Sequence, residues 1–383
     1  MDTNIAQNRN NRKKATLLLA AIVLVVSLIV ITISLTNKPP VRRSQEPTKP
    51  FPYYSENVTF ENAQAKITLS GTLTLPAKEG NYPAVILITG SGPQNRDGEG
   101  AGHKPFLVIS DYLTKKGIAV LRYDDRGFGQ STGDFKSGTS LDFSTDVESA
   151  VNYLKTRSEI NQDKIGLIGH SDGGMIAPMV AAKSRDVAFI VLLAGPGIQG
   201  AKLLVMRQEL LAKAMGLSPA EVQESIKWNE KTFEIVSRSK DPQTIKADLT
   251  NYVKENPPNI PSRFIPQGMT REQFFAAGID ELTSPWFIYF LNYDPVPTLE
   301  KVTCPVLALN GAKDAQVPSQ ENLTAISVAL KNGGNENVTI KELPNLNHSF
   351  QECKTCSLME HGTLDQTFSP VALAEISNWV LKQ

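Results

Sequence analysis

The stretch Lys164-Ile-Gly-Leu-Ile-Gly-His-Ser-Asp-Gly-Gly174 decides the fold that the sequence predicts. It begins as an apolar run typical of a buried strand, passes through the pattern Gly-x-Ser-x-Gly at 169–173, and continues into a helical pattern. Small residues permit a very tight strand-to-helix turn, so the Ser171 hydroxyl is expected to project above the sheet as a nucleophile. An incidental glycine-rich turn is the alternative, and the order of strand, turn and helix argues against it.

Strand-like apolar runs alternate with helical patterns on both sides of this turn. Two segments that precede the others, 58–60 and 67–75, predict antiparallel strands at a sheet edge. The later predicted strands lie at 84–88, 118–121, 164–168, 187–193 and 305–309, and the predicted helices at 105–116, 141–157, 174–184, 319–331 and 370–382. This alternation predicts the α/β class, with a mostly parallel central sheet and helices on both faces.

The alternation stops between about 198 and 297, where helical patterns dominate. Two helix starts in this stretch carry capping boxes, Ser218-Pro-Ala-Glu221 and Thr270-Arg-Glu-Gln273. The stretch is therefore predicted to be a helical cap inserted into one domain, residues 53–383. Most of its aromatic side chains are expected to form the cap core, and a few to line an apolar pocket.

The residues before this domain have a different composition. Residues 1–14 form a basic tail, and residues 15–35 contain no charged side chain. As a helix those 21 residues would span roughly 30 Å, which predicts a transmembrane anchor or signal segment. We favour an uncleaved anchor because no clear small-x-small cleavage site follows it. Residues 36–52 carry five prolines and are predicted to be an extended Pro-rich linker.

Flanking charges bear on the orientation of the anchor. Four basic residues lie on each side, but those that precede it lie closer to the apolar run. This favours a cytoplasmic N-terminus and a folded body outside the cytoplasm, in the periplasm or at the cell surface. Secretion after cleavage and a body that faces the cytoplasm are the alternatives.

A serine nucleophile needs a base that removes its proton, so a histidine is expected after Ser171. The chain contains four histidines: His103, His170, His348 and His361. His348 is the predicted base because it follows the strand-like run 338–343 across a short loop. His170 belongs to the turn itself, and His361 is expected on the solvated surface.

The acid that orients the base should follow a strand that lies between the serine and the histidine in the sequence. Asp314 meets this condition because it lies in the turn directly after the predicted strand 305–309. Its carboxylate would fix the imidazole tautomer and stabilise the imidazolium that forms during acyl transfer. Three competing aspartates lie in or near the predicted cap or before a strand: Asp186, Asp280 and Asp294.

The oxyanion of an acyl-transfer reaction requires preorganised N–H donors. One predicted donor is the main chain of Asp172, the residue after the nucleophile. The other is the main chain of Ser91, in the loop Thr89-Gly-Ser-Gly-Pro93 that follows the strand 84–88, with Gly92 as the alternative. The glycines of that loop allow its backbone to approach a substrate closely.

Charge and motif content disfavour several other classes of function. The chain has 39 Lys and Arg against 39 Asp and Glu, which leaves no basic surplus for nucleic acid. The sequence has no metal-ligand cluster and no phosphate-binding loop, so no metal or cofactor is predicted. Cys353 and Cys356 predict a local disulfide or two free thiols. The segment 124–129 is interpreted as a structural loop held by carboxylate–guanidinium pairs.

Five segments form a set that is similar to a known family. They are Gly90-Ser-Gly-Pro-Gln-Asn-Arg-Asp97, Arg122-Tyr-Asp-Asp-Arg-Gly-Phe-Gly-Gln-Ser131, Gly169-His-Ser-Asp-Gly-Gly174, Gly311-Ala-Lys-Asp314 and Leu346-Asn-His-Ser-Phe350. Across about 56–382 the sequence resembles the α/β-hydrolase superfamily and, within it, the EstD-like bacterial serine esterases. The resemblance implies an α/β-hydrolase fold and hydrolysis of small-molecule carboxylic esters through Ser171, Asp314 and His348. Thr89 departs from the family pattern, which often has a loop-supporting histidine there.

Other functions stay open at this point. The same three residues could cleave thioesters or peptides, because the sequence does not reveal the shape of the substrate pocket. A membrane-tethered binding module with an inactive hydrolase fold is the alternative from another class. The presence of Ser171, Asp314 and His348 together argues against that alternative, since a decayed site normally loses one of them.

Overall fold

The computed structural model describes residues 42–214, 216–258 and 265–383, except the side chains of residues 358 and 359. The basic tail 1–14 and the predicted anchor 15–35 lie outside this part of the chain. Among the helices within the described ranges, none combines the length and the apolar character that a membrane span requires.

The described residues fall into two compact units. One contains the residues up to Gln199 together with Asp294–Gln383, and the other contains Gly200–Tyr293. The strands are β1 Tyr54–Asn62, β2 Ile67–Leu75, β3 Tyr82–Ile88, β4 Ala119–Tyr123, β5 Ile160–His170, β6 Phe189–Leu193, β7 Val306–Gly311 and β8 Val338–Leu343. The helices are α1 Pro105–Lys115, α2 Ser140–Lys155, α3 Gly173–Ala181, α4 Gly200–Ala214, α5 Pro219–Ser237, α6 Pro242–Glu255, α7 Arg271–Leu282, α8 Pro285–Asn292, α9 Val296–Leu299, α10 Ser319–Asn332, α11 Leu358–His361 and α12 Pro370–Val380.

The strands form one eight-stranded sheet in the order β1-β2-β4-β3-β5-β6-β7-β8. β1 pairs antiparallel with β2, and β2 pairs antiparallel with β4. The remaining neighbours pair in parallel, which confirms the predicted mostly parallel sheet with an antiparallel edge. The carboxyl ends of these parallel strands lie along one edge, where the residues that follow the strands can meet.

Apolar side chains cover both faces of the sheet. On one face, Val85 and Leu87 of β3 belong to a buried cluster that includes Ile109 of α1 and Ile376 of α12. Ile86, which points to the opposite face, is also fully buried, and α3 packs against β5 and β6. Successive strand side chains point to opposite faces, so this burial confirms helices on both faces.

The unit Gly200–Tyr293 is built from α4 to α8. Both predicted capping boxes are confirmed, because the side chains of Ser218 and Thr270 each accept the N–H three residues ahead. Phe233 and Phe287 are buried within the unit, with ring centroids 6.2 Å apart. These two aromatic residues thus belong to the core of their own unit.

Residues 43–46, here called the N-terminal strap, bind the sheet-containing unit, although composition predicted residues 36–52 to be an extended linker. The guanidinium of Arg43 donates hydrogen bonds to the carbonyl oxygens of Gly102 at 3.2 Å and Gly362 at 2.8 Å. The prediction from proline content was wrong for the strap because it considered only the local chain. The partners that hold these residues are distant in sequence.

Gln45→Ala is expected to lower the free energy of unfolding by about 1–3 kcal/mol, measured by urea denaturation. The Gln45 amide oxygen accepts the N–H groups of Thr367 at 2.6 Å and Phe368 at 3.0 Å, and its nitrogen donates to the Phe368 carbonyl at 2.8 Å. Both partner residues are buried, so their main-chain groups lose these bonds without full access to water. Gln320→Ala, at an exposed position of α10, is the matched control. Equal stability of the two variants would contradict the prediction.

Candidate active site

Ser171 lies in the tight turn that joins β5 to α3. Its φ of +54° is in the left-handed region, which is unfavourable for a residue with a side chain and is maintained by the surrounding structure. The Ser171 N–H donates to the carbonyl of Leu193, at the end of β6, at 2.9 Å. A Cβ at Gly169 or Gly173 would overlap with main-chain atoms, so the sequence keeps glycine on both sides of the serine.

The predicted acid and base are hydrogen-bonded to each other. Nδ1 of His348, in the loop after β8, lies 2.8 Å from Oδ2 of Asp314, in the turn after β7. The Asp314 side chain is fully enclosed, and its other oxygen accepts the N–H groups of Gln316 and Val317 at 2.7 and 2.9 Å. A carboxylate only accepts hydrogen bonds, so Nδ1 carries the imidazole proton and Nε2 is left free to take another.

The loops that carry Ser171 and His348 are joined through His170. Nε2 of His170 lies 2.9 Å from the main-chain oxygen of His348, and the two ring centroids are 4.9 Å apart. Within the described ranges, the Ser171 hydroxyl donates no hydrogen bond to His348. Catalytic hydrogen bonds of this kind often reach full strength only in the complex with substrate. All three predicted residues therefore follow parallel strands at one edge of the sheet, and the acid and base are in direct contact.

The two predicted oxyanion donors belong to backbone that adjoins the nucleophile. Asp172 follows Ser171 directly and is the N-cap residue of α3, where the helix dipole favours negative charge. Ser91 follows Gly90, and a Cβ at Gly90 would lie only 3.2 Å from the Ser171 Cβ. The loop after β3 thus runs beside Ser171, a position that the prediction of Ser91 as an oxyanion donor requires.

Asp125, in the loop after β4, holds both ends of the Thr89–Gln94 loop. The Thr89 hydroxyl donates to one carboxylate oxygen at 2.7 Å, and the Gln94 N–H donates to the other at 2.8 Å. The Asp125 N–H in turn donates to the Gln94 carbonyl at 3.1 Å. Thr89 therefore supports the loop at the position where the EstD-like esterases, which the sequence resembles, often have histidine. Sequence reasoning missed this role of Asp125, since nothing local to residue 125 indicates its partners.

The surrounding loop, residues 124–129, is held by the ion pairs that the sequence predicted. Arg96 pairs with Asp124 at 2.7 Å, and Arg126 pairs with Asp146 at 2.7 Å. These ion pairs agree with the interpretation of this segment as a structural loop.

His103 and His361 have a setting that the sequence did not predict. The two rings stack with centroids 5.3 Å apart, and His103 is buried with Nδ1 at 3.0 Å from the Thr367 hydroxyl. Burial, with His103 nearby, lowers the pKa of His361 to about 3. His361 is therefore partly buried against His103 and is not the freely solvated side chain that the sequence predicted, because its partner is distant in sequence.

The loop that follows the base contains a disulfide between Cys353 and Cys356, which decides between the two predicted states of these cysteines. The Glu360 carboxylate caps the same loop by accepting the N–H groups of Lys354 and Cys356. In the described part of the chain, no group of three or more His, Cys, Asp or Glu side chains is placed to hold a metal ion.

Comparisons with known proteins agree with this architecture. Residues 104–290 match the family described as Serine aminopeptidase, S33. The chain is 27% identical to Esterase EstD of Thermotoga maritima over 337 residues. This match covers 86% of this chain and 70% of EstD. The chain has the α/β-hydrolase fold. The sequence is also similar to the putative hydrolase YtaP of Bacillus subtilis. That match is 34% identical over 120 residues and covers 27% of this chain and 40% of YtaP.

Solved structures confirm the α/β-hydrolase fold. A hypothetical protein of Pseudomonas aeruginosa, PA2218, has a TM-score of 0.53 at 15% identity, over 90% of this chain and 99% of that one. The esterase Pf2001 of Pyrococcus furiosus has a TM-score of 0.51 at 15% identity, over 90% and 98% of the respective chains. At such low identity these likenesses concern the fold alone.

The pH dependence of stability is expected to change in Asp125→Asn. Burial raises the pKa of Asp125 to about 7 in the folded protein, against about 3.9 for an unfolded aspartate. The folded state therefore binds the Asp125 carboxyl proton more tightly than the unfolded state does. As pH rises from about 4 to 7, the contribution of Asp125 to the free energy of unfolding falls. Asparagine does not titrate, so urea denaturation should give a difference, variant minus wild type, that increases over this range.

Asp163→Asn, at an exposed position, is the matched control for Asp125→Asn. The same pH dependence of the free energy of unfolding in both variants would contradict the role assigned to burial of Asp125.

Proposed function

We propose that this α/β-hydrolase is a serine esterase that cleaves carboxylic esters with small to medium acyl groups through an acyl-serine intermediate. The observation that carries the proposal is the hydrogen bond from His348 to the enclosed Asp314, on a loop tied to the turn that bears Ser171. Nucleophile, base and orienting acid are the three groups that acyl transfer at serine requires. The name of EstD as an esterase supports the ester as substrate class.

In this proposal Ser171 Oγ attacks the ester carbonyl while His348 Nε2 takes its proton. The oxyanion accepts hydrogen bonds from the main-chain N–H groups of Asp172 and Ser91. When the C–O bond to the leaving group breaks, His348 returns the proton to the departing alcohol. Water then attacks the acyl-serine with His348 again as base, which releases the carboxylic acid and restores Ser171.

Hydrolysis of p-nitrophenyl esters from acetate to decanoate by the full chain in detergent tests the proposal. We expect kcat/KM to be highest for the short and medium acyl chains and to fall towards decanoate. Ser171→Ala should lower kcat by about 10⁴-fold or more, because the nucleophile is lost. Ser137→Ala, at an exposed position, should match the wild type.

The same assay separates the alternative functions. Cleavage of aminoacyl p-nitroanilides in preference to esters would favour a peptidase, which the description of the matching family as a serine aminopeptidase supports as second candidate. A preference for acyl thioesters would identify a thioesterase. A folded protein that is inactive on all three substrate classes would overturn the enzyme proposal in favour of a binding module.

The proposed location is a membrane anchor at 15–35 with the hydrolase outside the cytoplasm. The Cys353–Cys356 disulfide supports it, because disulfides persist mainly in oxidising compartments. In spheroplasts of a bacterial host, an impermeant protease should remove a C-terminal tag from the membrane-bound chain. Protection of the tag would indicate a body that faces the cytoplasm, and release of soluble protein would indicate cleavage. The chain without residues 1–35 is the control and should stay in the cytoplasm.

A further inference from the structure

His170 occupies the position directly before Ser171 and contacts the loop of the base. Its ring lies 4.9 Å from that of His348 and meets the edge of Phe350 at 6.4 Å, measured between centroids. Its hydrogen bond, from Nε2 to the His348 carbonyl at 2.9 Å, links two residues 178 positions apart. No step of the proposed reaction uses this side chain.

The acceptor fixes the protonation of His170. A carbonyl oxygen has no proton to give, so Nε2 of His170 carries the hydrogen and Nδ1 does not in the neutral ring. Burial, and after it the neighbouring His348, lowers the pKa of His170 to about 4. His170 is therefore a neutral single donor at neutral pH, and it places no second positive charge beside His348 when that ring becomes imidazolium.

Two different contacts restrain the base. The bond from Nδ1 to Asp314 fixes the rotation of the His348 ring, but it does not set how far the His348 main chain lies from the nucleophile. Asn347 and Phe350 restrain the neighbouring loop, through bonds to Gln351 and a stack on Phe368. Only the His170 contact, among these, joins the main chain of His348 to the turn that carries Ser171.

We propose that His170 is a positioning residue. Its Nε2–H holds the main chain of His348 at the distance from Ser171 that proton transfer between the two side chains requires. The inference rests on the proposed function of these two residues. Misplacement of a catalytic group by about 1 Å can lower a rate by about 10²-fold, so one such bond is sufficient to matter.

Three substitutions in the full chain test the role of the donor. In His170→Gln the amide nitrogen reaches the place of Nε2, whereas in His170→Asn it reaches only that of Nδ1. His170→Leu has a similar volume and no donor. We expect kcat on p-nitrophenyl butyrate to fall about 10- to 100-fold in the Leu and Asn variants, with KM within about twofold. The Gln variant should recover most of the loss. The rate at which a fluorophosphonate labels Ser171 should likewise fall strongly in the Leu and Asn variants and only slightly in the Gln variant.

Several outcomes would overturn the inference. Wild-type kcat and labelling in His170→Leu would show that the donor has no role. An equal loss in all three variants, the Gln variant included, would show that ring shape matters and the hydrogen bond does not. Since the comparison of Gln with Asn involves two polar variants, it remains decisive if the Leu variant fails to fold.

The proposed function fails in a distinguishable way. A wild type that neither hydrolyses esters nor labels at Ser171 overturns the esterase proposal, and the inference with it. A wild type whose activity Ser171→Ala abolishes, together with a fully active His170→Leu, overturns the inference alone.

Discussion

The close approach of main-chain segments at the carboxyl end of β5 is the constraint on which the rest of the site depends. The turn around Ser171 lies so near the ends of β3 and β6 that side chains at Gly173 and Gly174 would overlap with neighbouring backbone. This packing maintains the positive φ of Ser171, an unfavourable conformation that a looser turn would release. It also places Gly90 against Ser171.

Two buried carboxylates, Asp314 and Asp125, lie on opposite sides of Ser171, and their hydrogen-bond partners differ. Asp314 is bonded to two main-chain N–H groups and to the imidazole of His348, so it orients that ring. Asp125 accepts from a hydroxyl and one N–H, and burial raises its pKa to about 7. It holds the backbone of the Thr89–Gln94 loop. Each carboxylate thus fixes the geometry of the groups that bond to it.

Local pattern was sufficient to predict the elements and the order of the site residues. The turn at Ser171 has a strand before it and a helix after it, and Asp314 and His348 follow β7 and β8. Those features depend on short-range periodicity and on tight-turn sterics, which neighbouring residues determine. Mostly parallel pairing follows from the same alternation, because each helix returns the chain to the same end of the sheet.

The features that sequence could not predict are side-chain contacts between distant segments. Asp125 meets Thr89, His170 meets the His348 carbonyl, and His361 stacks on His103. No periodicity at either partner indicates such a pair, since any polar side chain on a loop has many possible partners before the fold is known.

The N-terminal strap also makes long-range contacts, and a chain of these contacts connects it to the loop that carries His348. Gln45 binds the main chain of Phe368, whose ring stacks on Phe350 at 5.3 Å, and Phe350 lies two residues after His348. The Phe350 carbonyl also accepts the N–H of Ser369 at 2.8 Å. The segment next to the predicted anchor is therefore packed into the layer that supports the base. A linker that only separated the domain from a membrane would need no such contacts, so the strap is part of the folded domain.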